Sequence, residues 1–554
     1  MAATEGNDQL IGTSGDDVLD GLGGNDSIEG RLGKDTLSGG DGDDDFLISD
    51  ARHVVAGESY SGGAGRDLLT ITASGVDLSL VLIGDDLEAL YAARVDLRMA
   101  AGQVAKFQSI DAASLTIGGT GIADFGDIAY AVREIILANP GIELILGDGD
   151  MFEAKVEGSA GSDIVRGSGL HNRINGNAGD DILYGNGGHD LLSGGAGADR
   201  VYGGDGWDEF LVGVGDSSAG DLYDGGAGED TIYLQAPATL ARLVGIEALS
   251  APYAATLGAR DFGALTTVWA ASVTINKAGV ADLAGADLDI DVINLAVSGV
   301  VLKLDGAAMV GSSRVTIKGS LGVDRITGTS GTDLISGRDG NDVIDGGGGD
   351  NVLTGGAGDD SYRLRAWDTI REGVDGGYDV VTTELGSATL AANVEKLVFD
   401  GPGTAAFAGT GNAIDNLIVA RGGNDRLSGG EGGDILHGGQ GSDTLTGGAG
   451  ADSFVFETAL SRTRNVDTIN DFAAEDFIVL ARSVFGAAGP QARLAGDAFV
   501  LGTAAADAED RLVYDQASGK LFYDADGTGA GAQILFARLG AGTELGAADF
   551  QIVG

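Results

Sequence analysis

The chain has 554 residues, of which 99 are glycine, only 5 are proline and none is cysteine. The low proline count argues against collagen and against a disordered linker, and the lack of cysteine excludes disulfides and thiolate metal sites. The formal net charge of −51 argues against nucleic acid and anionic membranes as partners and favours cations. No run of about 18 apolar residues occurs, so no membrane-spanning helix is expected.

A nine-residue repeat, Gly-Gly-x-Gly-x-Asp-x-U-x with U large and apolar, dominates the sequence. Taken in chain order, it fills 3–47, 158–211, 319–363 and 411–455, with single units at 62–70 and 225–233. The glycine-rich half can turn sharply, because glycine adopts positive φ without steric cost. The x-U-x half predicts a short strand with only U pointing inward. Two units therefore make one coil of a parallel β-solenoid.

The sixth-position aspartates of units that lie 18 residues apart should form two columns, one on each side of the coil. In the first block, Asp8, Asp26 and Asp44 share one column, and Asp17 and Asp35 share the other. Carboxylates about 4.8 Å apart repel each other unless a cation lies between them. Carboxylate and turn carbonyl oxygens favour a hard cation, and an irregular cage suits Ca²⁺ better than Mg²⁺.

The sequence thus predicts many Ca²⁺ ions, bound by aspartates at the sixth position of the repeat. These predicted ligands are Asp8, Asp17, Asp26, Asp35, Asp44, Asp67, Asp163, Asp181, Asp190, Asp199, Asp208, Asp230, Asp324, Asp333, Asp342, Asp360, Asp425, Asp434, Asp443 and Asp452. Asn172, Asn351 and Asn416 take the same position without a charge, so their sites should be weaker or empty.

This repeat resembles that of the RTX (repeats-in-toxin) family of secreted calcium-binding proteins. The resemblance implies an all-β fold, a right-handed parallel β-roll or β-solenoid with several calcium-binding nonapeptide blocks. It also implies export by a type I secretion ABC transporter and folding outside the cell as calcium is met. The sixth-position aspartates and the carbonyls of the turn glycines carry over as calcium ligands. The expected location is secreted, extracellular or at the cell surface.

The remaining segments divide the chain further. Residues 71–157 and 234–318 predict metal-free β-solenoid, with one helix at 124–138 that Asp124 caps. Residues 364–410 resemble a β connector, and 456–554 resemble the type I secretion domain of serralysin-type proteins, where Asp467, Asp471, Asp524 and Asp526 are candidate ligands for a further calcium ion. The predicted rolls are therefore 1–70, 158–233, 319–363 and 411–455.

No catalytic motif is evident: H-E-x-x-H, G-x-S-x-G and Walker A sequences are missing. The sequence favours a structural or adhesive protein of the extracellular matrix or surface-layer type, with self-assembly or cell-surface polysaccharide as candidate partners. One alternative is a polysaccharide epimerase or lyase that uses Glu143, Asp148, Asp150 and Lys155 on a solenoid face. Another alternative is an adhesin that binds a glycan or a host surface.

Overall fold

The structure is a computed structural model that describes residues 3–149, 153, 155–310, 314–461, 463–489 and 492–554. It contains two units, one formed by the residues up to 274 together with 288–290, the other by 275–287 and 291–554. Each unit is a parallel β-solenoid of short strands. In the described part of the chain, no helix has the length and apolar character needed to cross a bilayer.

The repeat generates the coil in the way that its spacing predicts. Ile28 takes the U position of the strand Ser27–Glu29 and is fully buried. It pairs in parallel with Leu10 in the preceding coil and with Phe46 in the following one, each 18 residues away. The turn between strands passes through Gly24 at φ 101°, a conformation that favours glycine. Stacked U side chains therefore form the core of each unit.

In the first unit, the strands form two sets, which alternate along the chain within the repeat blocks. One set comprises Gln9–Ile11, Ser27–Glu29, Asp45–Ile48, Leu68–Ile71, Val76–Asp77, Ala89–Ala100, Ser109–Gly118, Ala129–Leu137, Lys155–Glu157, Arg173–Asn175, Leu191–Ser193, Glu209–Val212, Thr231–Leu234, Ala238–Thr239, Ala248–Leu257 and Thr267–Ile275. The other comprises Val18–Asp20, Thr36–Asp41, Ser59–Ala64, Leu82–Ile83, Gly121–Asp124, Ile142–Ile145, Ile164–Arg166, Ile182–Gly187, Arg200–Asp205, Leu222–Ala227 and Leu243–Val244.

The second unit also has two sets of strands, which alternate within its repeat blocks. One set comprises Gly279–Asp282, Val300–Lys303, Arg325–Thr327, Val343–Asp345, Ser361–Leu364, Val380–Thr383, Lys396–Phe399, Leu417–Val419, Ile435–His437, Ser453–Phe456, Phe477–Ala481 and Phe550–Val553. The other comprises Asp287–Leu295, Ala308–Met309, Thr316–Lys318, Leu334–Asp339, Val352–Ala357, Thr369–Ile370, Ser387–Thr389, Ala408–Thr410, Arg426–Glu431, Thr444–Ala449, Asp467–Ile469, Phe499–Leu501, Leu512–Asp515, Lys520–Tyr523 and Ile534–Arg538. Near its C-terminal end, Lys520–Tyr523 pairs antiparallel with both of its neighbours.

Helical segments are short. The 3-10 turns are Ala51–His53, Leu78–Leu80, Ala101–Lys106, Gly486–Ala488, Gly496–Ala498 and Ala547–Asp549, and Ala259–Phe262 is one turn of α-helix.

The helix predicted at 124–138 is wrong. Residues Gly121–Asp124 and Ala129–Leu137 are strands, and burial in the second alternates with the period of a strand in its first half. Ala129–Leu137 pairs in parallel with Ser109–Gly118. Asp124 Oδ1 accepts the Gly126 N–H at 2.8 Å in a turn between strands, so Asp124 caps no helix. Pairing with the strands on either side outweighs the local helical signal, because tertiary context overrides propensity.

The segments between the repeat blocks are also solenoid coils. Residues in Ser109–Gly118 pair with residues 20 positions later in Ala129–Leu137, so these coils are longer than those of the repeat. In the predicted connector, Val380–Thr383 pairs in parallel with Ser361–Leu364 before it and with Lys396–Phe399 after it. Strand ladders therefore pass through this segment, whereas the right-handed sense of the coil stays a prediction.

Candidate metal centres

The sixth-position aspartates form the two predicted columns, and one oxygen of each carboxylate links neighbouring coils. Asp26 Oδ1 accepts the Asp8 N–H at 2.7 Å, and Asp44 Oδ1 accepts the Asp26 N–H at 2.7 Å. In the second column, Asp35 Oδ1 accepts the Asp17 N–H at 2.8 Å. A buried backbone donor is thus paired at each step, and the carboxylate is fixed in place.

The other carboxylate oxygen, Oδ2, is buried and has no hydrogen-bond partner among the described residues at fifteen of the twenty predicted ligands and at one further residue, Asp379. The fifteen are Asp26, Asp35, Asp44, Asp67, Asp181, Asp190, Asp199, Asp208, Asp230, Asp342, Asp360, Asp425, Asp434, Asp443 and Asp452.

In fourteen of these fifteen repeat units, the oxygen faces the first glycine of the same unit; the unit of Asp425 begins with Ala420 instead. A Cβ built on Gly203 would touch Asp208 Oδ2 and lie 2.6 Å from the Gly225 carbonyl oxygen, so only glycine leaves room there. Carboxylate and carbonyl oxygens therefore converge on a small space between coils. A buried unpaired carboxylate oxygen is costly, and this donor set fits a Ca²⁺ ion.

Burial makes the charged state of these aspartates unfavourable. Desolvation, followed by repulsion between neighbouring carboxylates, raises the pKa of Asp181 and of Asp434 to about 7. The pKa of Asp190 rises to about 7 for the same reasons, with Asp208 as the repelling neighbour. A divalent cation would remove both causes, because it compensates the charge and replaces the lost hydration.

Five predicted ligands at the starts of blocks differ, because a hydroxyl-bearing residue four positions earlier satisfies Oδ2. Thr4 donates to Asp8 through its N–H at 2.6 Å and its hydroxyl at 2.8 Å. The same N–H contact joins Thr13 to Asp17, Ser159 to Asp163, Ser320 to Asp324 and Thr329 to Asp333. The sequence signal is Ser or Thr in place of the second glycine. We expect weaker calcium binding at these five residues than at the other fifteen.

The side-chain amides of the three asparagines at the sixth position also have hydrogen-bond partners. The amide of Asn172 donates to the Ser168 hydroxyl, that of Asn351 to the Gly348 carbonyl, and that of Asn416 to the Val394 carbonyl, at 2.9 to 3.2 Å. Where an aspartate leaves an oxygen without a donor, an asparagine finds an acceptor. This supports the expectation that the asparagine positions are weak or empty sites.

Several acidic residues extend the columns beyond the repeat blocks, and sequence reasoning singled out only Asp467 among them. Asp221, Asp379, Asp467 and Asp476 accept the N–H of Asp199, Asp360, Asp443 and Asp452 at 2.9 to 3.1 Å. Three glutamates also accept such backbone N–H groups: Glu88 from Asp67, Glu247 from Asp230 and Glu395 from Asp379. The signal that could have found them is an acidic residue 16 to 24 positions after an aspartate of the same column, directly before a short apolar strand.

The four C-terminal candidate ligands have separate partners. Asp467 belongs to the column of Asp443, and desolvation raises its pKa to about 8. Asp471 uses both oxygens, which accept the N–H groups of two turn glycines at 2.9 Å each. Asp526 Oδ2 accepts the Gly531 N–H at 3.0 Å, and Asp524 Oδ1 accepts the Asp526 N–H at 3.3 Å. Of the four, only Asp467 shares the geometry of the repeat columns.

The residues of the polysaccharide-enzyme alternative lie on different elements with their own partners. Glu143, on the strand Ile142–Ile145, pairs with Arg166 at 2.9 Å. Lys155 begins a strand of the other set and pairs with Glu134 at 2.7 Å. Asp148 accepts the Gly169 N–H, and Asp150 lies outside the described residues.

A second ladder runs in the opposite direction through the fifth position of the repeat. Asn7 Oδ1 accepts the N–H of the residue 18 positions later, at 2.9 Å, and Asp180 Oδ1 does the same for Ala198 at 2.9 Å. His171 Nδ1 accepts the His189 N–H at 2.9 Å. Short acceptor side chains at this exposed position therefore tie each coil to the next without facing the carboxylate column.

Parallel coils whose turns hold columns of buried carboxylates and glycine carbonyls define a cation-binding β-solenoid. The family model for the RTX calcium-binding nonapeptide repeat, which spans four copies, matches 3–37, 20–47, 157–192, 184–219, 311–335, 327–362, 410–445 and 419–454. The chain thus carries RTX repeats in four blocks, a little over a third of its length, and these repeats bind calcium ions. No curated protein matches the chain.

Replacing Asp190 and Asp208 together by asparagine should weaken calcium binding in the second block. Both oxygens that lack partners would become amide nitrogens, which do not bind a cation. We expect the calcium concentration at the folding midpoint to rise by a factor of about three or more. The matched control is D180N/D205N, which removes the same charge from exposed positions and keeps the acceptor of Asp180. Equal midpoints for the two double variants would contradict the assigned columns.

Proposed function

We propose that this protein is an extracellular structural or adhesive protein that is exported unfolded and folds when it meets calcium. The observation that carries the proposal is the set of buried aspartate oxygens that have no hydrogen-bond partner in the described part of the chain, repeated through all four blocks. Calcium is scarce in the cytoplasm and plentiful outside the cell, so the same chain would be unfolded during transport and rigid afterwards. A type I secretion transporter suits such a chain, as the RTX repeats suggest.

The structural or adhesive role is supported by what the described residues expose. The three tryptophans of the chain, Trp207, Trp269 and Trp367, are all more than half exposed. Tryptophan is typical of contact surfaces, because its ring is both apolar and able to donate a hydrogen bond. Contacts with further copies or with cell-surface polysaccharide would cover these rings. A non-catalytic role agrees with the separate partners of Glu143, Asp148 and Lys155.

Electron microscopy and sedimentation of the full chain, with and without calcium, test this role. We expect calcium-loaded protein to form sheets or fibres, or to bind immobilised cell-surface polysaccharide, at micromolar concentration. The chelated chain should do neither. A calcium-loaded protein that stays monomeric and binds no glycan would contradict the proposal. So would new reducing ends in alginate or pectin incubated with it, since that result indicates a polysaccharide lyase.

A further inference from the structure

Three carboxylates meet where the third repeat block ends. Asp360 belongs to the last repeat unit, Asp379 lies one coil later, and Glu372 comes from the non-repeat segment between them. One oxygen from each lies within 4.8 Å of the others. Among the residues that the structure describes, no other set of three acidic or histidine side chains comes as close together. The matched family residues end at 362, so two of the three side chains lie outside the repeat.

Two of these carboxylates are each fixed by a hydrogen bond to one oxygen, while the other oxygen accepts none among the described residues. Asp360 Oδ1 accepts the Asp342 N–H at 2.7 Å, and Asp379 Oδ1 accepts the Asp360 N–H at 2.9 Å. Both aspartates are fully buried, and Oδ2 of each has no hydrogen-bond partner among the described residues. Two unpaired anionic oxygens therefore point into a site without water access, a costly arrangement unless a cation compensates them.

Glu372 is positioned by groups that lie beside the same oxygens. Its Oε1 accepts the Gly355 N–H at 3.0 Å and the hydroxyl of the buried Tyr362. A Cβ built on Gly355 would lie 2.5 Å from that hydroxyl oxygen and in contact with Asp360 Oδ2, so both line one space. The glutamate is therefore fixed beside the aspartate oxygen and is not a solvated surface carboxylate.

Backbone carbonyls complete the oxygen lining. A Cβ built on Gly376 would lie 3.0 Å from Glu372 Oε2, 3.2 Å from the Gly356 carbonyl oxygen and 3.3 Å from the Gly373 carbonyl oxygen. Such a mixture of carboxylate and carbonyl oxygens is typical of calcium sites, whereas Mg²⁺ prefers strict octahedral geometry with several waters.

We propose that Asp360, Glu372 and Asp379 bind one Ca²⁺ ion more tightly than the sites of the repeat units. A repeat unit supplies at most one carboxylate oxygen without a partner among the described residues, whereas this site gathers three carboxylates around one space. Affinity for calcium rises with the number of ligand charges and with the rigidity of the site. This site is therefore occupied at lower calcium concentrations than the repeat sites, and its ion joins the last repeat unit of the third block to the coil that follows. The inference rests on the calcium chemistry of the chain and is independent of the extracellular role.

The test measures calcium retained by the full chain, by mass spectrometry of the metal after equilibration against buffered free calcium. We expect the wild-type chain to retain about one ion at free calcium concentrations too low to fill the repeat sites. In E372Q the midpoint for this ion should shift upward by about ten-fold, because one ligand charge is lost. The glutamine keeps an oxygen that can accept the Gly355 N–H, so the local fold should be retained.

The matched control is E384Q, which removes the same charge from an exposed residue whose carboxylate pairs with Arg363 at 2.6 Å. Circular dichroism at saturating calcium checks that both variants fold. If E372Q does not fold, Y362F takes its place, because it keeps the carboxylate charge but removes one hydrogen bond that positions it. Equal calcium retention by the tested variant and by E384Q overturns the proposal. So does a wild-type chain that folds at millimolar calcium but retains no ion at the lower calcium concentrations. Monomeric behaviour would affect only the proposed role.

Discussion

Chelation of calcium is expected to change the far-UV circular dichroism of the full chain from a β-type spectrum to that of a coil. Sixteen aspartates have a buried Oδ2 without a partner among the described residues. Each such oxygen costs at least about 1–3 kcal/mol, and a charged one costs more. A few of them suffice to cancel the net stability of about 5–15 kcal/mol that is usual for a folded protein. Without the cation, the unfolded chain is therefore favoured.

Addition of millimolar calcium should restore the β spectrum cooperatively, because each coil completes the backbone hydrogen bond of the coil before it. Magnesium at the same concentration is the control, and we expect it to restore much less. A chain that keeps its β spectrum and its thermal transition in a chelating buffer near pH 8 would contradict this prediction.

Acid should partly replace calcium in the metal-free protein. Desolvation raises the pKa of Asp190 to about 7, that of Asp443 to about 6 and that of Asp467 to about 8. In the unfolded chain, aspartate titrates near about 4. The stabilisation by bound protons is therefore fully present below about pH 4 and is lost as the pH rises through about 6–8. The measurement is β content of the chelated protein between about pH 8 and about pH 5, with an increase expected on acidification.

The calcium-loaded protein should show the opposite trend, because protons compete with the cation for the same oxygens. The calcium concentration at its folding midpoint should rise as the pH falls below about 7. A chelated protein with less β structure at pH 5 than at pH 8 would contradict the assigned cause of the pKa shifts.

The spacing of the repeat was enough to predict the strand register and the pairing of Asp8 with Asp26. This succeeded because the repeat unit fixes both the turn and the single inward side chain. The helix predicted at 124–138 was wrong, since residues 129–137 pair with a strand that lies 20 positions away in sequence. Partners at that distance are not visible in a local pattern of hydrophobic residues.

The candidate sites were predictable in outline but not in detail. The sequence shows which aspartates share a column. Only the structure shows that the Thr13 N–H donates to Asp17 Oδ2 and that no donor among the described residues reaches Asp35 Oδ2. The contribution of Glu372 was also hidden, because it lies in a segment without the repeat and reaches Asp360 only through the fold. Side-chain satisfaction depends on three-dimensional packing, which a repeat signature does not encode.

The turns that open the first two blocks, each with a hydroxyl-bearing residue that satisfies its aspartate, give calcium-driven folding a direction. A coil such as that of Asp163 needs no ion, because Ser159 supplies its own donor, so it can form early as a template. The next coil along the column then docks onto it, when Asp181 Oδ1 captures the Asp163 N–H. Folding of these two blocks should consequently begin at their N-terminal ends and proceed toward their C-terminal ends, one ion-bearing coil at a time.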